Sequence, residues 1–334
     1  MKSTIKSIIQ YAGMVLLTAV LLWLSLRGIQ VGEGEDKGDF LWKAWKNSNK
    51  GYLLMMALVA LVSHVLRAER WRMLLEPTGS KVGLVNSFLS LMIGYLVNLA
   101  VPRGGEVSRC YNLYKLEKTP VETSFGTVVV ERLVDVLCLL ALIVLSFVAE
   151  WAKLKSFIDS LDLGKGEQRV HIPIGLWIVA IVVIGLIVAV YFLRKNEKLL
   201  KIFYGFKEGM MAIFRLKNKW LFVFYSLAIW MAYFAMSYYV IKAFPETERL
   251  GFSAVLTLFA IGSIAMAVPL PGGAGSYHTL VPLGLVMLYN LPKSDAVAFV
   301  FIFHAWQTAL MILLGVLSLA FSYWIIKWKA QRTK

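Results

Sequence analysis

The chain has 334 residues, of which 59% are hydrophobic and 16% charged, with a net charge of +15. Soluble domains carry roughly 25% charged residues, and several apolar runs here approach the ~20 residues that a spanning helix needs. A soluble fold would have to bury all of those runs at once, so the composition leaves an all-α integral membrane protein.

In chain order, Lys2 and Lys6 precede the first run, 8–26. That run resembles a signal peptide, but it is long and no small-x-small cleavage site precedes Arg27, so a retained first helix is expected. Helices are then predicted at 52–67 and 124–149, with an apolar segment at 83–101 between them. A second series follows: helices at 171–193, 219–242 and 295–326, with a broken apolar stretch at 251–291.

Charge distribution predicts topology. Residues 194–219 carry eight Lys/Arg against two Glu, and the tail 327–334 carries four basic residues. Segment 67–81 has four basic and two acidic groups, whereas 27–50, 150–170 and 242–250 are nearly balanced. Cytoplasmic loops collect Lys and Arg, which places both termini, 67–81 and 194–219 inside. Segment 83–101 must then enter from the cytoplasm and return, and 251–291 must do the same from outside. The expected fold is six spanning helices plus two re-entrant, broken hairpins, counted as eight hydrophobic segments. It forms one transmembrane domain over 1–334, with a first repeat at 1–150 and a second at 171–326 of opposite orientation. Such inverted-topology repeats occur in secondary transporters.

The two breaks echo each other. "AVPRGGE" begins at Ala100 and "AVPLPGG" at Ala267, with Ile93-Gly94 and Ile261-Gly262 a short way upstream. Proline removes a backbone donor and glycine permits positive φ. Non-helical backbone at membrane depth is tolerated only against protein or a water-filled cavity. Pro102, Gly104, Gly105, Pro269, Pro271, Gly272, Gly273 and Gly275 are therefore the candidate hinge residues lining a shared cavity; simple helix kinking is the plainer alternative.

Charge gathers at the first break as Arg103, Glu106 and Arg109. If a helix starts after Gly105, Glu106 and Arg109 face one side, and the two arginines beside helix N–H groups suit a phosphate. An interfacial loop with snorkelling arginines fits the same residues. Glu131, Arg132 and Asp135 interrupt an otherwise apolar helix, with the two acids sharing a face. Ionisable groups within a span usually face the bundle and find partners, so pairing with arginines is expected to shape the cavity, an ion-coupling role being the alternative. His304 and His278 are the remaining candidate substrate contacts.

Segment 194–218 sets Leu199, Phe203, Phe206, Met210 and Ile213 at helical spacing among basic residues, as an interfacial helix on an anionic leaflet would. Tryptophans, Trp71 among them, fall mostly near span ends, as in an aromatic belt. Cys110 and Cys138 give no metal spacing, and no nucleotide loop, nucleophile elbow or zinc motif is present. No cofactor, metal or nucleic-acid partner is expected, and no enzymatic activity.

The stretches "PRGGEVSR" (102–109), "VVERLVD" (129–135) and "PGGAG" (271–275), with Arg70-Trp71-Arg72 ending the second helix, resemble the membrane domain of lysylphosphatidylglycerol synthases/flippases, also found as stand-alone flippase-like proteins. The resemblance runs over roughly 8–326. It implies broken helices around a central cavity and movement of a polar-headed phospholipid or polyprenyl-phosphate-linked lipid between leaflets of the cytoplasmic (inner) membrane. A membrane glycosyltransferase or its accessory protein acting on lipid-linked sugar, and a small-solute transporter, are the alternatives. The expected partners are membrane lipids with anionic or zwitterionic head groups, and a separately encoded lipid-synthesising enzyme is a candidate. Family members often place Glu shortly after the Pro-Gly-Gly-x-Gly element, where this chain has Tyr277-His278. A cationic head-group contact there is not carried over.

Overall fold

The computed structural model describes residues 36–151 and 197–332, together with 16, 19–23, 25–26 and 155. The helix expected at 171–193 lies outside the described residues, as does most of that at 8–26. Every described element is helical. Among the described residues, three helices are long and apolar enough to cross a membrane: Lys50–Thr78, Lys219–Lys242 and Lys293–Arg332.

A short helix α1 (Lys37–Asn47) leads into α2 (Lys50–Leu75), whose N-terminus is capped by the Asn49 side chain accepting from the Gly51 and Tyr52 amides. Helix α2 thus runs eight residues beyond the expected end at 67. Arg67 and Arg70, expected in a cytoplasmic loop, are buried helical residues instead. That loop keeps only Arg72 and Lys81 against Glu69 and Glu76, so its positive bias disappears. The orientation signal then rests on 194–219 and the C-terminal tail.

Two short helix pairs follow the two echoed motifs. Helix α3 (Leu84–Ala100) has 17 residues, about 25 Å at 1.5 Å per residue, short of the ~30 Å hydrocarbon core. It stops where Pro102 forces Val101 into extended backbone (φ −120°, ψ 105°), a restriction proline places on its predecessor. Arg103 turns the chain in a left-handed conformation (φ 59°), and α4 (Gly104–Glu117) runs back along α3. Asn98 Oδ1 accepts from the Gly105 amide at 2.8 Å, and Asn112 Nδ2 donates to Ser90 Oγ at 2.9 Å. Asn86 and Glu117 close the base. These contacts form an antiparallel ladder.

The second pair is α8 (Phe252–Ala267) and α9 (Ser276–Tyr289), joined through a tight turn at Pro271–Gly273. Gly272, Gly273 and Gly275 all take positive φ there, which glycine adopts without steric penalty. Ser276 Oγ donates to the Ala265 carbonyl at 2.8 Å, Tyr277 lies over Gly262, and Gly284 lies under Ile261. Each upstream Ile-Gly pair therefore supplies the glycine on which the returning helix rests: Gly94 beneath Gly105 and Arg109, and Gly262 beneath Tyr277. The two tips meet. Gly272 sits against Leu99, and Arg103 Nη2 reaches the Ala267 carbonyl at 3.4 Å.

Around the hairpins stand α2, α5 (Val121–Ala149), α7 (Lys219–Lys242) and α10 (Lys293–Arg332). Leu53, Met56 and Ala60 of α2 pack with Met236 and Val240 of α7 and with Phe299 and Phe303 of α10. Helix α10 has 40 residues, about 60 Å, and touches both hairpins. Its first half meets the second tip, where His304 Nε2 lies 3.1 Å from the Gly272 carbonyl. Its second half holds the first hairpin. Leu96 covers Gly315, Asn112 reaches Ser322 at 3.2 Å, and Lys329 donates to the Leu116 carbonyl at 2.8 Å.

Helix α5 shows how an apolar sequence sorts itself in a bilayer. Leu133, Leu137, Leu140, Val144 and Val148 recur every three or four residues on an exposed stripe, the face that lipid would cover. Ser124, Thr127, Glu131, Leu142 and Ser146 form the buried face.

Helix α6 (Glu197–Met211) departs from the expectation of an apolar face laid on a leaflet. That face packs on α5, with Gly209 against Gly126 and Phe206 tilted against Phe125, while Met210 and the following Ile213 lie beside Leu74 of α2 and Val130 of α5. Small residues on both helices allow this close approach. An added Cβ at Gly209 would overlap the Thr123 carbonyl oxygen. Gly209→Ala is therefore expected to cost about 1–3 kcal/mol, read as a lowered unfolding midpoint in detergent. An unchanged midpoint would show that α6 is not docked on α5.

Candidate functional site

Beside the first hairpin lies a cluster of seven ionisable side chains drawn from three helices. The buried face of α2 supplies Arg67 and Arg70, α4 supplies Glu106 and Arg109, and α5 supplies Glu131, Arg132 and Asp135. Glu131 is the hub and is fully buried. Its Oε1 accepts from Arg67 Nε at 3.0 Å and Nη2 at 2.6 Å, and its Oε2 from Arg109 Nη2 at 3.0 Å. Asp135, one turn further on, accepts from Arg67 Nη2 at 2.9 Å and Arg70 Nη2 at 2.7 Å. Helix α7 completes the shell: Arg67 Nη1 donates to the Tyr233 hydroxyl at 2.8 Å and Arg70 Nη1 to Ser226 Oγ at 3.3 Å.

The spacing explains the fit. Arg67 and Arg70 are three apart on α2, and Glu131 and Asp135 four apart on α5, so each pair projects from one helix face. Two guanidinium forks thereby meet two carboxylates. A lone ion at this depth would be strongly disfavoured, and mutual pairing with hydrogen bonds makes burial tolerable. Trp71 sets the remaining wall. It is completely buried, its indole N–H donates to Thr127 Oγ1 at 3.0 Å, and its ring lies 4.7 Å from the Arg109 guanidinium, a cation–π contact. The aromatic-belt expectation thus fails for Trp71, because its helix continues past it.

The expected site residues separate into three groups. Glu106 and Arg109 do face one side, toward α5, but with separate partners: Glu106 Oε1 pairs with Arg132 Nη2 at 2.8 Å, and Arg109 with Glu131. The expected arginine pair is parted, because Arg109 lies inside α4 against α5 while Arg103 stands exposed at the hairpin tip. His278 and His304 form a third group at the other tip, their rings 4.7 Å apart. There His278 Nδ1 accepts from the Gly275 amide at 3.4 Å, and its ring packs on Phe301. Ser25 also joins this group, its Oγ donating to the His278 carbonyl at 2.7 Å. Among the described residues no group of three or more His, Cys, Asp or Glu is placed to hold a metal ion.

Arg67 and Tyr233 were not among the expected site residues, and Arg70 entered only through the Arg70-Trp71-Arg72 stretch. Their signal was the matching of "RAER" at 67–70 to "ERLVD" at 131–135, basic and acidic residues at one-turn spacing on two apolar helices.

Long apolar helices, two helical hairpins meeting tip to tip and an embedded arginine–carboxylate cluster define a multi-pass integral membrane protein. The chain belongs to the family described as lysylphosphatidylglycerol synthase TM region, whose sequence profile matches residues 11–315. It is 23% identical over 299 residues to a UPF0104 membrane protein of Methanothermobacter thermautotrophicus, covering 80% of this chain and 83% of that one. A UPF0104 membrane protein of Methanocaldococcus jannaschii is 31% identical over 119 residues, and that match spans only 35% of this chain and 34% of the other. No solved structure matches the chain.

Proposed function

We propose that the protein moves a phosphate-bearing lipid, a phospholipid or a polyprenyl-phosphate-linked lipid, between the leaflets of the cytoplasmic membrane, as a carrier and not an enzyme. The observation that carries this reading is the meeting of two glycine-rich hairpin tips beside an embedded, arginine-rich cluster. Irregular backbone at membrane depth needs polar company, and a path of polar groups through the bilayer is what a lipid head group needs. On this reading α2, α3–α4 and α5 form one repeat and α7, α8–α9 and α10 its inverted counterpart, with both termini cytoplasmic. Arg103 meets the phosphate at the tip, the ion cluster forms the polar wall, and Gly272, Gly273 and Gly275 let the second tip move. The full engagement of Glu131 and Asp135 by arginines supports a carrier over chemistry that relies on paired carboxylates.

Reconstitution into liposomes containing trace acyl-labelled phospholipids or polyprenyl phosphates tests this. Wild-type protein should expose inner-leaflet label to an impermeant quencher, and Arg103→Gln should slow exposure about tenfold or more, the weight of one charge-assisted hydrogen bond. Failure to move any labelled lipid would refute the reading. A single cysteine at position 103, with Cys110 and Cys138 replaced by serine, should react with impermeant reagents only from the cytoplasmic side. Labelling from the outer face alone would refute the proposed orientation.

A further inference from the structure

We infer that the lipid head group this protein selects is anionic, a phosphate without a compensating amine, and that cationic head groups are rejected. This rests on the transport reading above and goes further by naming the charge of the cargo. Four guanidinium groups (Arg67, Arg70, Arg109, Arg132) face three carboxylates (Glu106, Glu131, Asp135), which leaves the cluster one positive charge. The carboxylates are nearly spent. Both oxygens of Glu131 and both of Asp135 are bound by arginine, and only Glu106 Oε2 is buried without a hydrogen-bond partner. Donors, by contrast, are left over: Arg70 Nε, Arg109 Nε and Arg109 Nη1 are buried and unpartnered. Arg109 as a residue is only 2% exposed, so water from bulk does not serve it.

Arg103 adds to the excess. It has no carboxylate within ion-pair distance among the described residues and makes one long bond, to the Ala267 carbonyl. The opposite tip offers no acid either, presenting Tyr277 and His278. A buried, uncompensated positive charge is costly, and an entering phosphate offsets it while accepting from the spare N–H groups. An amine-bearing head group would meet one oxygen of Glu106 and the repulsion of the arginines.

The test uses proteoliposomes carrying chain-matched, acyl-labelled lipids with singly anionic, zwitterionic and singly cationic head groups. The anionic lipid should move about tenfold faster than the cationic one, the weight of one unit charge in a half-wet site. Equal rates, or faster cationic movement, would overturn the inference while leaving transport intact. Should no lipid move, the transport reading fails, and native mass spectrometry of lipids retained by the purified protein decides the charge preference. Anionic lipid retained over cationic upholds it, and equal retention overturns it. Inorganic phosphate binding as tightly as the anionic lipid would assign the site to a free anion and overturn the lipid claim. Two variants bring opposite shifts that misfolding cannot mimic. Arg132→Gln removes the excess charge and frees Glu106, lowering the anionic-to-cationic ratio, whereas Glu106→Gln adds to the excess and raises it. Shifts in the same direction, or none, would overturn the role of the cluster.

Discussion

Glu131→Gln is expected to destabilise the folded protein by about 3–5 kcal/mol, the usual loss when one member of a buried ion cluster is removed. The carboxylate takes arginines from two helices, one on each oxygen, and its side chain is wholly out of solvent. Its loss is uneven for the partners. Arg67 keeps Asp135 and Tyr233, whereas Arg109 keeps, among the described residues, only the face of Trp71. Asp135→Asn should therefore cost less, since Arg70 still lies 3.5 Å from Glu131 and Asp135 is partly exposed. Adding Arg109→Met to Glu131→Gln should restore part of the loss, with a coupling energy of about 1–3 kcal/mol in the double-mutant cycle. Equilibrium unfolding in mixed micelles gives all four corners. Additivity of the two single changes would mean that the Arg109–Glu131 pair is not formed, and the wall of the proposed lipid path would have to be redrawn.

What the sequence revealed, and what it hid, follows from the kind of signal each feature leaves. Proline and glycine act locally, so the breaks at Pro102 and at 271–275 and the hairpins they close were legible. The face shared by Glu131 and Asp135 was legible too, because helical spacing fixes it. The identity of their partners was not. Arg67 and Arg70 close an apolar run, where buried pairing and snorkelling leave the same pattern of letters. Counting them as loop charges shortened α2 and gave segment 67–81 a positive bias that the fold removes. The apolar face of α6 was equally ambiguous, since lipid and a neighbouring helix both select Leu, Phe and Met. Gly126, Gly205 and Gly209 were the discriminating residues: a helix resting on lipid has no need of them, and two helices in close contact do.

Gly105→Ala is the second change expected to act strongly, because it separates the arms of the first hairpin. A Cβ at position 105 would overlap the Gly94 carbonyl oxygen and lie 2.6 Å from Asn98 Cγ. The first obstacle is helical backbone and cannot rotate away, so α4 has to retreat from α3. Retreat breaks the 2.8 Å bond from the Gly105 amide to Asn98. It also shifts Glu106 and Arg109 relative to α5, disturbing both the Arg132 and the Glu131 contacts. The expected result is a stability loss of about 1–3 kcal/mol or more, with slowed lipid movement in the protein that still folds. Gly251→Ala is the steric control: nothing lies within 4 Å of the added methyl and its φ is −75°, so only the loss of glycine at the N-cap of α8, about 0.5–1 kcal/mol, is expected. Gly272→Ala combines backbone strain with a tight contact at the other tip, its added methyl lying 3.1 Å from Leu99 Cδ2. Its φ of 58° disfavours any side chain, which costs roughly 1 kcal/mol. If Gly105→Ala matched Gly251→Ala in stability and in transport, the close crossing of α3 and α4 would not be what holds the first tip against the second.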